Sequence, residues 1–198
     1  MADKSENSFD DELVSEIRQL PNVWLKKIIT AIFVWDLDKD GHTGYDDIMD
    51  VADKVINIGN LNGKSADDVI ECFRDLASHT SDNPPTEVFR VTSLSEQLVA
   101  VWRTKDNPSL RESRGKIYSR MFQAIDFNAN GFLTFDKYLV FWNAFKLDRR
   151  FARMQFDFMD TDQDGKISDE EFLKAHVDYI ENTNDGTLNR FFGPLINY

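Results

Sequence analysis

Apolar residues recur at intervals of three and four along most of this chain, and the recurrences break at short acidic stretches. Trp24, Ile28, Ile32 and Trp35 form one stripe, with Lys26, Lys27 and Thr30 on the other side. Ile48, Val51, Ala52 and Val55 form the next, and Val69, Cys72, Phe73 and Leu76 a third, in a helix that begins near Ser65. The second half repeats the plan with Ile117, Met121 and Ile125, then Tyr138, Phe141, Trp142 and Phe145. Phe151, Met154 and Phe158 follow, and Phe172, Ala175, His176 and Tyr179 close the series. Such stripes are the faces that amphipathic helices bury. A further short helix is expected from about Phe9 to Gln19, capped by Ser8 with Asp11 three residues on and ended by Pro21. The pattern predicts an all-α chain.

The acidic breaks have an internal order. From Asp160 the chain reads DTDQDGKISDEE, with Asp160, Asp162 and Asp164 two apart, Gly165 next, and Glu171 at the twelfth place. This is the calcium loop of an EF-hand: three short oxygen side chains at places 1, 3 and 5, a glycine for the sharp turn at 6, a backbone carbonyl at 7 and a two-oxygen acid at 12. The expected ligands are Asp160, Asp162, Asp164, the Lys166 carbonyl and Glu171, with Ser168 near a coordinated water. From Asp36 the chain reads DLDKDGHTGYDD, which offers Asp36, Asp38, Asp40, the His42 carbonyl and Asp47. Asp47 is one methylene shorter than glutamate, so this site is expected to accept Mg2+ as well as Ca2+.

The stretch DFNANGFLTFDK keeps the first half of the pattern, with Asp126, Asn128, Asn130 and Gly131, but place 12 is Lys137. An ammonium about 4 Å from Ca2+ costs roughly 8 kcal/mol at an effective dielectric of 20. Lys137 is therefore expected to swing away and leave its place to water. The loop reads as one kept for its shape, with Leu133 pairing against Ile167 and calcium binding weak or absent.

EF-hands pair, and the loops at Asp126 and Asp160 start 34 residues apart. The loop at Asp36 needs a partner, and the candidate runs from Ser81 to Leu98. There Val91 stands for the strand residue, and Ser93 with Glu96 forms a capping box. Pro84 and Pro85 replace the ligand ladder and no turn glycine is present, so this second hand is degenerate. The expected architecture is four hands in two pairs forming one globule. Residues 1–108 make the first pair, residues 109–198 the second, and the linker lies between Thr104 and Ser109.

The charge balance sharpens this picture. Asp and Glu number 35 against 23 Lys and Arg, a formal charge of −12, which suits cation binding and disfavours a nucleic-acid partner. Cys72 is alone, so no disulfide framework exists. The polar, acidic start lacks the layout of a signal peptide, and no apolar run reaches the ~18 residues of a membrane span. These features lead to the expectation of a cytoplasmic monomer. A sensor with a methionine-rich groove is disfavoured by only five methionines.

The chain resembles the invertebrate sarcoplasmic calcium-binding proteins, from about Val23 to Ile196. A Trp-containing helix before a loop ending in Asp47, a degenerate second hand, the paired loops at Asp126 and Asp160, and the tail NDGTLNRFFGPLI carry the resemblance. It implies a cytosolic Ca2+/Mg2+ buffer with no catalytic residues, whose usual active loops are one, three and four; Lys137 departs from that pattern. Calexcitin-like signalling proteins share the build. The coelenterazine photoproteins are also similar, and their pattern places a histidine, a tryptophan and a tyrosine where this chain has His176, Ile180 and Phe191. With two of the three replaced, His176 is expected to be a packed or capping residue. Trp24, Trp35, Trp102 and Trp142 leave room for a further expectation, an apolar small molecule such as coelenterazine in the core.

Overall fold

The computed structural model describes residues 13–41, 43–81 and 93–196, with the backbone alone for 78–81. Residues 13–17 are helical and end before Pro21; the Ser8 cap lies outside the described residues. Pro21 precedes helix α1 (Asn22–Trp35), which runs into the first acidic loop. Helix α2 (Tyr45–Gly59) leaves that loop and ends with Asn60 in the left-handed conformation, and α3 (Lys64–Ser81) packs back along it. Helix α4 (Leu94–Thr104) opens with the expected Ser93–Glu96 capping box. Val91, Pro84 and Pro85 lie outside the described residues.

Asn107 caps α5 (Pro108–Ile125), whose first residue is the proline that tolerates that position. Strand β1 (Phe132–Leu133) and helix α6 (Phe135–Ala144) follow. A 3₁₀ turn at Arg149–Phe151 leads into α7 (Ala152–Met159), then β2 (Ile167–Ser168) and α8 (Asp169–Glu181). The two strands form one antiparallel ladder with Leu133 opposite Ile167, as the loop spacing predicts, and both side chains are fully buried.

One core contains most of the aromatic residues: Trp35, Phe73, Tyr138, Phe141, Trp142, Phe156, Phe172, Phe191 and Phe192. A second, smaller cluster joins Trp24, Ile28, Leu98 and Val101, with Trp102 packed against it. The four tryptophans are thus divided between two clusters, and Ile180 packs against both.

Two stripes differ from the sequence expectation. Lys27 and Thr30 are buried, although they sit among the polar positions of α1. Lys27 Nζ donates to the Asn182 carbonyl at 2.5 Å, and the Thr30 hydroxyl accepts from the Ile196 amide at 3.0 Å. The chain's own C-terminal segment covers that face, which helical periodicity cannot foresee. In α7 the buried residues are Ala152, Gln155, Phe156 and Met159, while Met154 is exposed and Phe151 and Phe158 are half-buried. Both sets obey the same spacing; the tail decides between them, because Gln155 accepts from the Arg190 amide at 2.5 Å and donates to Asn189 at 3.2 Å.

Candidate metal-binding loops

Each acidic loop leaves a helix through an aspartate whose N–H still bonds back into the last turn. The chain then reverses through a left-handed residue at place 4, Lys39, Ala129 or Gln163, with φ of 66°, 50° and 60°. The glycine at place 6 follows, with φ of 93°, 80° and 82° for Gly41, Gly131 and Gly165. These glycines are required by conformation, since L side chains rarely adopt such angles. Each glycine N–H donates to the Oδ2 of the place-1 aspartate, at 3.1, 2.7 and 3.0 Å respectively. The three loops therefore share one backbone shape, although their ligand chemistry differs.

In the first loop, Asp36, Asp38 and Asp40 bring carboxylate oxygens within 4.8 Å of one another. Asp160, Asp162 and Asp164 do the same in the last. Asp36 and Asp160 are buried, and the Oδ1 of each has no hydrogen-bond partner in the protein. A buried carboxylate oxygen without a donor is costly unless a cation serves it. Hard oxygen donors gathered this closely suit Ca2+ or Mg2+, so the residues present fit the ion that the sequence pattern implies.

The place-12 acids turn back over their loops. Asp47 Oδ1 accepts from the amides of Leu37 at 2.7 Å and Asp38 at 3.1 Å, and its Oδ2 accepts from Gly44 at 2.8 Å. Glu171 accepts from the Thr161 amide at 2.8 Å and hydroxyl at 2.9 Å, and from the Ser168 amide and hydroxyl at 2.9 Å. Desolvation raises the Glu171 pKa, but the Ser168 and Thr161 hydrogen bonds outweigh it and hold the carboxyl below its ordinary value. Of the remaining residues named from the sequence, Lys166 stacks its ammonium over Phe132, 4.3 Å from the ring centroid, and His42 lies outside the described residues.

The middle loop departs from the sequence expectation. Lys137 does not swing away. Its Nζ lies 2.5 Å from Asp126 Oδ1, bonds Asn128 Oδ1, and donates to the Phe132 carbonyl at 3.3 Å. The repulsion invoked against it exists only beside a bound divalent ion. Against Asp126, Asn128 and a carbonyl the same charge is attracted. A lysine at the end of a loop that keeps its first aspartate was the signal in the sequence.

His176 is buried, stacked on Tyr118 with ring centroids 3.4 Å apart, and edge-on to Phe191 at 5.5 Å. Burial pushes its pKa down to about 3, aided by the nearby Arg114 charge, so the ring is neutral near pH 7. Ile180 sits beside it on α8 and accepts the Trp24 indole N–H through its carbonyl at 2.7 Å.

No family model matches the chain. A sarcoplasmic calcium-binding protein of Hediste diversicolor is 27% identical over 177 residues, which cover 88% of this chain and 99% of that protein. Among solved structures, the coelenterazine-binding protein of Renilla muelleri in its Ca-loaded apo form superposes with a TM-score of 0.72 at 22% identity, covering 87% of this chain and 96% of the other. Calcium-loaded apo-aequorin from Aequorea victoria gives 0.60 at 15% identity, over 87% of this chain and 98% of the other. At such identities the two structures establish the shared EF-hand fold.

Proposed function

We propose that this chain, a calcium-binding EF-hand protein related to the sarcoplasmic calcium-binding proteins and photoproteins, is a Ca2+/Mg2+ buffer that binds through its first and last loops. The carrying observation is the pair of buried place-1 oxygens, Asp36 Oδ1 and Asp160 Oδ1, left without a protein donor inside clusters of three carboxylates. Asp36, Asp38, Asp40, the His42 carbonyl and Asp47 would hold one ion; Asp160, Asp162, Asp164, the Lys166 carbonyl and Glu171 the other. A bound divalent cation would neutralise charge that the loops otherwise hold against their own repulsion. The asymmetry of Asp47 against Glu171 favours tighter calcium binding at the last loop, because only the longer acid reaches inward with two oxygens without pulling its helix.

A buffer does not need an exposed apolar groove. The large exposed apolar side chains among the described residues, Val14, Phe33, Tyr45, Ile58, Leu94, Met154 and Leu188, come from several different segments of the chain. The aromatic face of α8 is packed against Phe191 and Phe192 of the tail, which supports a non-catalytic role. No helix among the described residues is long and apolar enough to cross a membrane. We read the protein as a cytoplasmic monomer with four hands, the second of them silent.

Calorimetry with Ca2+, with and without Mg2+, tests the reading. Two sites are expected in the wild type and one in Glu171→Gln, with the tighter phase lost. A stoichiometry of three or more in the wild type, or two undiminished sites in the variant, would overturn it.

A further inference from the structure

Place 1 of each loop is an aspartate whose Oδ2 holds the turn glycine, yet its Oδ1 meets a different fate in the middle loop. In the first and last loops that oxygen has no donor; in the middle one it takes the Lys137 ammonium at 2.5 Å. The same nitrogen reaches Asn128 Oδ1 and the Phe132 carbonyl. These oxygens occupy places 1, 3 and 7, which are ligand positions of a calcium loop. An ammonium has three hydrogens to donate, and three acceptors receive them. Charge matches as well: places 1, 3 and 5 carry one carboxylate and two neutral amides, so a single positive charge balances them.

From this geometry we infer that the middle loop carries its own cation, with Lys137 acting as a tethered substitute for the metal that keeps the loop closed whether or not calcium is present. The inference rests on the two-site reading above and deepens it. A cation attached by its own side chain needs no minimum concentration, because its binding is intramolecular. Lys137 is largely shielded, its side chain 13% exposed beside an Asp126 side chain at 5%. The closed loop presents Leu133 to Ile167 in the ladder that joins it to the last loop, so the last loop is ordered in advance by a neighbour that never empties. The two loops of this pair then fill in no cooperative sequence, since one of them has nothing left to fill.

The test follows the turn glycine amides by NMR. A short hydrogen bond to a carboxylate moves an amide proton downfield and protects it from exchange. In chelated wild type, the Gly131 amide, whose bond to the place-1 aspartate is the shortest of the three at 2.7 Å, is expected downfield, protected and indifferent to calcium, while Gly165 and Gly41 shift and gain protection as calcium is added. In Lys137→Met, which keeps most of the stem and loses the charge, Gly131 should lose both properties, and the last loop's calcium affinity should fall about five-fold or more. Lys137→Glu should restore the loop as a metal site and add one calcium to the stoichiometry. A Gly131 amide that is unshifted and unprotected in chelated wild type would overturn the inference, even if no variant folds. So would a Gly131 amide in Lys137→Met that matches the wild type. Failure of Gly41 and Gly165 to respond to calcium would instead sink the buffer reading while leaving the Gly131 result intact.

Discussion

His176 shows how one residue's surroundings set its chemistry. Its ring lies between Tyr118 and Phe191, and burial leaves it neutral with a pKa of about 3. In the unfolded chain a histidine titrates near 6.5. The folded value is the lower, so the unfolded state binds more protons once the pH falls below about 6.5. Stability attributable to this residue is therefore present above that pH and lost as the pH falls toward 3, at about 1.4 kcal/mol per unit. The acid side of a urea-midpoint profile should be shallower for His176→Phe than for the wild type, in chelator to remove the metal contribution. The carboxylates titrate in both proteins, so the difference between the two profiles isolates the ring. Parallel profiles would mean that the ring is solvated or protonated in the folded state.

The two-stranded ladder is the smallest element here and the one through which the paired loops meet. Leu133 and Ile167 are fully buried opposite each other, packed into the main core from a strand of two residues. Leu133→Ala leaves a cavity that such a short element cannot collapse around, and should cost about 2–5 kcal/mol. It should also weaken calcium binding at the last loop, although no ligand is touched. Urea unfolding and a calcium titration of the same variant check the two effects together. A loss of stability with unchanged affinity would show that the ladder holds the core without coupling the loops.

At the scale of the whole molecule, α1 and α8 close on each other. Trp24 donates to the Ile180 carbonyl and Tyr179 to the Lys27 carbonyl, each at 2.7 Å, while Arg111 of α5 pairs with Glu181 of α8 at 2.5 Å. The tail completes the closure, with Phe191 and Phe192 buried against α8 and Asn189 bonding the Ala175 carbonyl at 2.7 Å. The chain carries a formal charge of −12, part of it concentrated in the two carboxylate clusters, so cation binding stabilises the folded form directly. Each ion present at 100 times its dissociation constant adds about 2.7 kcal/mol. Removing calcium from two sites should lower the melting temperature by about 10–20 °C, at roughly 2–4 °C per kcal/mol for a chain of this size. A chelator scan by calorimetry measures this, and a shift of only a degree or two would argue that the loops are empty at working calcium.

Residue order alone determined the helical class, the positions of the three acidic loops and the Leu133–Ile167 pairing. Periodicity of burial and the oxygen spacing of a calcium loop are local properties, set within about a dozen residues. Three further features needed the tertiary structure. The burial of Lys27 and Thr30 depends on a C-terminal segment more than 150 residues away. The buried side of α7 depends on Asn189 and Arg190 of the same tail. The inward turn of Lys137 depends on whether an ammonium faces a divalent ion or the bare oxygens of Asp126 and Asn128. Spacing locates such a charge in the chain; the sign of the field it meets is fixed only when the loop has closed around it.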